Sequence, residues 1–139
     1  LEFTESALAR DGARVIAQLG ELRRMGVEIA IDDFGTGYSS LAYMQKIPAN
    51  VLKIDRSFMQ SLASSERDQK LVRSMIGMAH ELGYRIVAEG IETERSFELL
   101  AGWRCDEAQG YYFARPLPAD GLTHWLSNWR TGAASAIPK

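Results

Sequence analysis

Cysteine, histidine and excess basic charge are all scarce in this sequence. Its 139 residues include one cysteine and two histidines, and 16 Lys and Arg face 18 Asp and Glu, for a net charge of −2. A lone cysteine, Cys105, permits no internal disulfide, suits a reducing compartment, and is expected to serve as a small buried apolar side chain. His80 and His124 fall on expected helices away from strand ends, where surface or packing roles are expected. The slightly acidic balance leaves no basic footprint for long nucleic acid, although a small anion could be held through metal ions. No apolar run is long enough to span a membrane and none reads as a signal peptide, so the expected location is cytoplasmic. The remaining composition, 46% hydrophobic and 24% charged, fits one soluble globular domain or part of one that can bury a core.

The most informative stretch runs from Ile29 to Ser40. Val27, Ile29 and Ile31 alternate with Glu28 and Ala30 as a short buried strand should, and the strand leads into adjacent Asp32 and Asp33 and then Gly35-Thr36-Gly37. Two neighbouring carboxylates that stay ionised need compensation, most effectively a divalent cation with hard oxygen ligands. Taken alone, the stretch also reads as an acidic turn without metal. Gly35 and Gly37 let the loop lie against a ligand or move over it.

Strand-like and helix-like segments alternate along the rest of the chain. Leu1 to Glu5 reads as a strand, and Gly12 to Met25 as a helix with Val15, Ile16, Leu19 and Leu22 on one stripe and Gly26 at its C-cap. Ser40 to Gln45 reads as a short helix closed by Pro48. Val51 to Asp55 is a strand whose alternation sends Lys53 and Asp55 to one side. Ser64 or Ser65 caps a helix reaching Leu82 and ended by Gly83, with Leu71, Val72, Met75, Ile76 and Ala79 as its apolar stripe. The strand Tyr84 to Ala88 delivers Glu89, and Thr93 caps a helix carrying Phe97, Leu99 and Leu100. A strand tip at Asp106 to Gln109 precedes Gly110, and a last helix spans Ala119 to Trp129. Residues 1–130 are expected to form the folded part and 131–139 a loose tail.

This alternation predicts an α/β fold of parallel β/α units, in a barrel or an open sheet. Both architectures place sites at strand C-terminal ends, where Glu2, Asp32, Asp33, Lys53, Glu89 and Gln109 could converge. Four carboxylates, an ammonium and an amide form an oxygen-rich set suited to Mg²⁺ or Mn²⁺ rather than zinc.

Five motifs in order, L-E-F-T-E-S, D-D-F-G-T-G-Y-S-S-L, L-K-I-D-R-S-F, V-A-E-G-I-E-T and Q-G-Y-Y-F-A-R-P, resemble the C-terminal part of an EAL domain, the bacterial cyclic di-GMP phosphodiesterase module, over about residues 1–118. The resemblance implies a TIM-type (β/α)8 barrel, of which this chain would be the C-terminal part with about five β/α units. It also implies two Mg²⁺ or Mn²⁺ ions, with Ca²⁺ inhibitory, and hydrolysis of cyclic di-GMP to linear pGpG. By the same resemblance Glu2, Asp32 and Asp33 are metal ligands, with Asp32 shared between the two ions. Lys53 contacts the attacking water or the scissile phosphate, Glu89 is the general base or its metal-linked equivalent, and Gln109 and Asp55 orient groups nearby. Glu5 resembles the glutamate that holds the loop from Phe34 to Ser40. From the residues alone, Glu5 is equally an acid favoured by a helix N-terminus, and Asp55 a structural partner of Lys53.

The Glu-Ala-Leu segment and the asparagine ligand after it would lie upstream of Leu1. The expectation is therefore a fragment, inactive alone, whose partners are the N-terminal part of the barrel, a second copy in a homodimer, and cyclic di-GMP. A non-hydrolysing cyclic di-GMP receptor and an interaction module are the alternatives to an enzyme.

Overall fold

Short apolar strands separated by capped amphipathic helices give a parallel sheet in which sequence neighbours are also spatial neighbours. The computed structural model describes residues 1–4, 12–36 and 44–130. Strands β1 (Glu2–Thr4), β2 (Ala30–Phe34), β3 (Val51–Ile54), β4 (Arg85–Glu89) and β5 (Glu107–Gln109) form one sheet in chain order, each parallel to the next. This uninterrupted order is the one a barrel requires, whereas a doubly wound open sheet reverses at a switch point. The described helices are α1 (Gly12–Arg24), α2 (Glu66–Glu81), α3 (Glu94–Gly102) and α4 (Ala119–Arg130), with a 3-10 turn at Arg56–Phe58. Among the described residues no helix is long and apolar enough to cross a membrane.

Each helix boundary has a local cause. Ser65 Oγ accepts from the Asp68 amide at 3.2 Å and Thr93 Oγ1 from the Ser96 amide at 3.2 Å, satisfying donors that the first turns of α2 and α3 leave free. The chain leaves α1 through Gly26 at φ 88° and α2 through Gly83 at φ 80°, left-handed conformations natural to glycine. On α2, Val72, Met75, Ile76 and Ala79 are buried, but Leu71 is 44% exposed. One residue advances a helix by about 100°, so Leu71 stands at the margin of the stripe to which the sequence assigned it. The expected strand at Val27 to Ile31 is found at Ala30–Phe34, running through both aspartates. The expected helix from Ser40 to Gln45 falls largely, and the expected tail 131–139 entirely, outside the described residues.

The pleat sorts the strands into two faces. Ile29, Ile31, Phe34, Leu52, Ile54, Ile86 and Ala88 join helix residues Leu19, Val72, Ile76, Ala79 and Leu100 in the main core. Ala30, Val51 and Val87 form a separate small cluster from the alternate positions. On that second face the residues before the cluster are ionic: Arg85 spans from Glu107 Oε1, 2.8 Å from its Nη1, to Glu28. The residues beyond it, at the C-terminal strand ends, are those the sequence had marked.

Candidate functional site

Lys53 is the centre of this second group. It lies on β3 with its side chain 11% exposed, and its Nζ is 2.6 Å from Glu89 Oε1, 2.9 Å from Glu2 Oε1 and 3.5 Å from Asp32 Oδ1. These partners come from β4, β1 and β2, so one ammonium ties four strands together at their C-terminal ends. Burial alone would lower the lysine's pKa. Hydrogen bonds to Glu89 and Glu2, with the charges of Glu89 and Asp32, more than offset that and hold it well above the ordinary lysine range.

The adjacent aspartates owe their placement to a bulge. Ile31 pairs with Leu52 and Phe34 with Ile54, so Asp32 and Asp33 together stand opposite the single residue Lys53. Ile31 and Phe34 both join the main core, leaving the two aspartates as the extra pair between them. Asp33 has φ 56°, an uncommon conformation for a residue with a side chain. Its amide donates to Asp32 Oδ1 at 3.1 Å, and its carbonyl accepts from Thr36 Oγ1 at 2.8 Å and from the Thr36 amide at 3.2 Å. Gly35 follows at φ 96°, where a Cβ would meet Met75 Cε at 2.7 Å and the Phe58 ring at 3.0 Å. The loop therefore leaves the bulge in close contact with the 3-10 turn and α2.

Gln109 is exposed on β5 as the register partner of Glu89. Its backbone carbonyl accepts from the Ile91 amide at 3.0 Å. Asp55 is not one of the three ion-pair partners that Lys53 has among the described residues. Its Oδ1 accepts from the Ser57 amide at 3.0 Å and caps the turn, and the hydrogen bonds from Ser57 hold its pKa below the usual carboxylate range. The reading of Asp55 as a structural partner of Lys53 is thus replaced by a capping role, because a residue just past the strand can satisfy the turn's free amides. Glu5 lies outside the described residues.

Glu2, Asp32 and Glu89 place three carboxylate oxygens around one cationic centre, with Asp33 beside them on the bulge. A hard-oxygen set of this kind fits a divalent cation such as Mg²⁺ or Mn²⁺. Among the described residues no three His, Cys, Asp or Glu side chains are drawn together closely enough to hold an ion unaided, because the carboxylates converge on the ammonium instead. Sequence reasoning missed this sharing of Lys53 and the bulge. The one available signal was the interval of three between Ile31 and Phe34, where an unbroken strand would place core residues two apart.

Comparison with known proteins identifies the family and the fold. The family model described as EAL domain matches residues 1–116. The cyclic di-GMP phosphodiesterase NbdA of Pseudomonas aeruginosa is 45% identical over 137 residues, which are 99% of this chain and 18% of that protein. Among solved structures, the PaMucR phosphodiesterase in complex with c-di-GMP superposes with a TM-score of 0.82 at 46% identity, covering 88% of this chain and 49% of that one. Klebsiella pneumoniae BlrP1, solved as a manganese and cyclic di-GMP complex, gives a TM-score of 0.75 at 32% identity over 83% of this chain and 29% of that one. The chain thus spans about a fifth of the curated relative and half or less of these solved chains.

Proposed function

Because the chain belongs to the EAL domain family and its fold is the C-terminal part of a TIM-type barrel, we propose that it supplies the C-terminal half of a metal-dependent cyclic di-GMP phosphodiesterase site. The observation that carries this reading is the convergence of Glu2, Asp32 and Glu89 on Lys53 beside the bulged Asp33, all at the C-terminal ends of parallel strands. Four carboxyl groups against one ammonium leave room for further positive charge, and Glu2, Asp32 and Asp33 would hold the Mg²⁺ or Mn²⁺ ions. When bound, such ions supply Lewis-acid charge that polarises the phosphodiester and neutralises the departing oxygen.

The chain's own groups divide the remaining work. Glu89 accepts one proton of the attacking water as the water oxygen bonds to phosphorus and the bond from phosphorus to the sugar oxygen breaks; the departing oxygen takes a proton from solvent and becomes the free hydroxyl of linear pGpG. Lys53, kept protonated by its neighbours, donates to a non-bridging phosphate oxygen and keeps Glu89 in place. Gln109, beside Glu89 in the register, orients groups at the rim, while Asp55 fixes the turn after β3. The upstream part of the barrel supplies the remaining ligands.

The deciding experiment is the Asp32→Asn variant of a complete barrel containing this chain, assayed for pGpG with Mg²⁺ or Mn²⁺. Loss of turnover with an unchanged circular dichroism spectrum is expected. Turnover at the wild-type rate would refute the ligand role.

A further inference from the structure

The 3-10 turn after β3 presses against both loops that leave the acidic strand ends on either side of it. On one side is Gly35, two residues past Asp33, where a Cβ would lie 3.0 Å from Cε2 and Cζ of the Phe58 ring. On the other is Gly90, the residue after Glu89, where a Cβ would lie 2.5 Å from Arg56 Cβ and 3.2 Å from its Cα. Arg56 is exposed, so Gly90 touches the root of its side chain rather than the guanidinium. Strands β2 and β4 do not pair with each other, because β3 lies between them. The turn that continues β3 is what both of their exits touch.

The turn has little freedom to yield. Ile54 before it is 0% exposed and Met59 after it 5%, both in the main core, and Phe58 packs against the same core. Besides the Asp55 side-chain cap, the Asp55 carbonyl accepts from the Phe58 amide at 3.2 Å and the Arg56 carbonyl from the Met59 amide at 2.9 Å. Gly90 is held on its far side as well, since Ile91 is fully buried and its amide donates to the Gln109 carbonyl. Contacts packed this closely pass a displacement on instead of absorbing it.

We propose that this turn is the shared support that sets the Asp32–Asp33 pair and Glu89 relative to each other, with Phe58 and Arg56 as positioning residues for the metal-holding and the proton-accepting side. The spacing matters because the water that gives its proton to Glu89 must meet a phosphate held from the aspartate side, and a misplacement of about 1 Å costs on the order of 10²-fold in rate. Lys53 also touches Asp32 and Glu89, but through a long side chain that can follow its partners. The turn instead bears on the backbone of each loop, at residues with no side chain of their own to give way. This inference rests on the phosphodiesterase reading and concerns how the same site is held.

The test uses a complete barrel containing this chain, with Phe58→Ala, Phe58→Met, Gly90→Ala, and Gly90→Ala combined with Arg56→Gly. Mn²⁺ binding is measured by calorimetry without nucleotide, and kcat and KM on cyclic di-GMP, all well below each variant's melting temperature. Phe58→Ala is expected to weaken Mn²⁺ binding and to lower kcat by about 10-fold or more each, with KM changed less. Phe58→Met, which refills the space beneath Gly35, should recover most of both losses. Gly90→Ala drives a Cβ into Arg56 and should lower kcat by a similar factor; because the support is shared, it should weaken Mn²⁺ binding too. Arg56→Gly removes the atom met at 2.5 Å, so in the combined variant both losses should shrink several-fold. Mn²⁺ affinity and kcat within about twofold of wild type in Phe58→Ala overturn the support, even with a lowered melting temperature, since the ring then only packs. A Gly90→Ala loss that Arg56→Gly does not relieve, or that leaves Mn²⁺ affinity unchanged, overturns it as well. A wild-type barrel whose Mn²⁺ binding follows this pattern but which does not cleave cyclic di-GMP overturns the enzyme reading and keeps the support. One that neither binds Mn²⁺ nor cleaves cyclic di-GMP overturns both.

Discussion

Lys53 illustrates how little of a residue's role its strand position alone determines. The ammonium is nearly buried, and its three carboxylate partners are exposed to different degrees, Glu2 the most at 57%. Lys53→Met would leave Glu2, Asp32 and Glu89 facing one another without a cation. Removing one partner of a buried ionic cluster costs several kcal/mol, but the exposure of Glu2 discounts this to roughly 1–3 kcal/mol at neutral pH. Urea denaturation measures the loss, which should shrink when Mn²⁺ is added, since a divalent cation can replace the missing charge. An equal loss with and without Mn²⁺ would separate the cluster from metal binding. Glu89→Gln tests the proton-accepting role: turnover of cyclic di-GMP in a complete barrel should fall by at least ~10²-fold while calorimetric binding in Ca²⁺ persists. Loss of binding instead would make Glu89 a ligand-holding residue.

At the scale of elements, much was legible because caps and glycines are local signals. Ser65, Thr93, Gly26 and Gly83 act where the sequence placed them, since an N-cap or a left-handed exit depends on only a few neighbours. The bulge at Asp32 and Asp33 was not legible as such, because it depends on where β3 stands. The gathering of Glu2, Asp32, Lys53 and Glu89 at the strand ends was legible from strand position, but their pairing on one ammonium was not, because Glu2 and Glu89 reach Lys53 across sheet register and no short-range pattern encodes that distance. Asp55, by contrast, was misread by giving strand alternation precedence over a turn that begins immediately after it. Cys105, between α3 and β5, was expected to be a buried apolar side chain and is only partly buried, packed against the main core with its Sγ donating to the Glu107 carbonyl at 3.2 Å. Burial pushes its thiol up from 9.0 to about 11. An acid with a raised folded pKa keeps its proton while the unfolded chain loses it. Its contribution to stability is therefore full below about pH 9 and falls as pH rises through about 11. The stability difference between wild type and Cys105→Ala should drift against the wild type from pH 8 to 10.5, whereas Tyr84, whose pKa is also raised, cancels between the two. A constant difference over that range would show that the thiol is not desolvated.

For the molecule as a whole, the sheet's sequential order means that β1 and β5 are its two edges, and in a barrel such edges are closed by further strands. Leu117, Leu122, Leu126 and Trp129, on and just before α4, are each more than 40% exposed, an apolar surface beyond the small scatter expected of a covered helix. The chain matches only 49% of the PaMucR chain, and the site reading assigns further ligands to the remainder. Residues 1–139 expressed alone should accordingly associate, either with a separately supplied N-terminal part of the barrel or with a second copy, and should release negligible pGpG without the former. Light scattering with denaturing mass spectrometry identifies the associated species. Adding the N-terminal part should restore activity in Mg²⁺ or Mn²⁺ but not in Ca²⁺, whose looser coordination is expected to fill the site without supporting turnover. A monomeric 15.5 kDa species that melts cooperatively and hydrolyses cyclic di-GMP by itself would show that these five strands need neither the missing edges nor the upstream ligands.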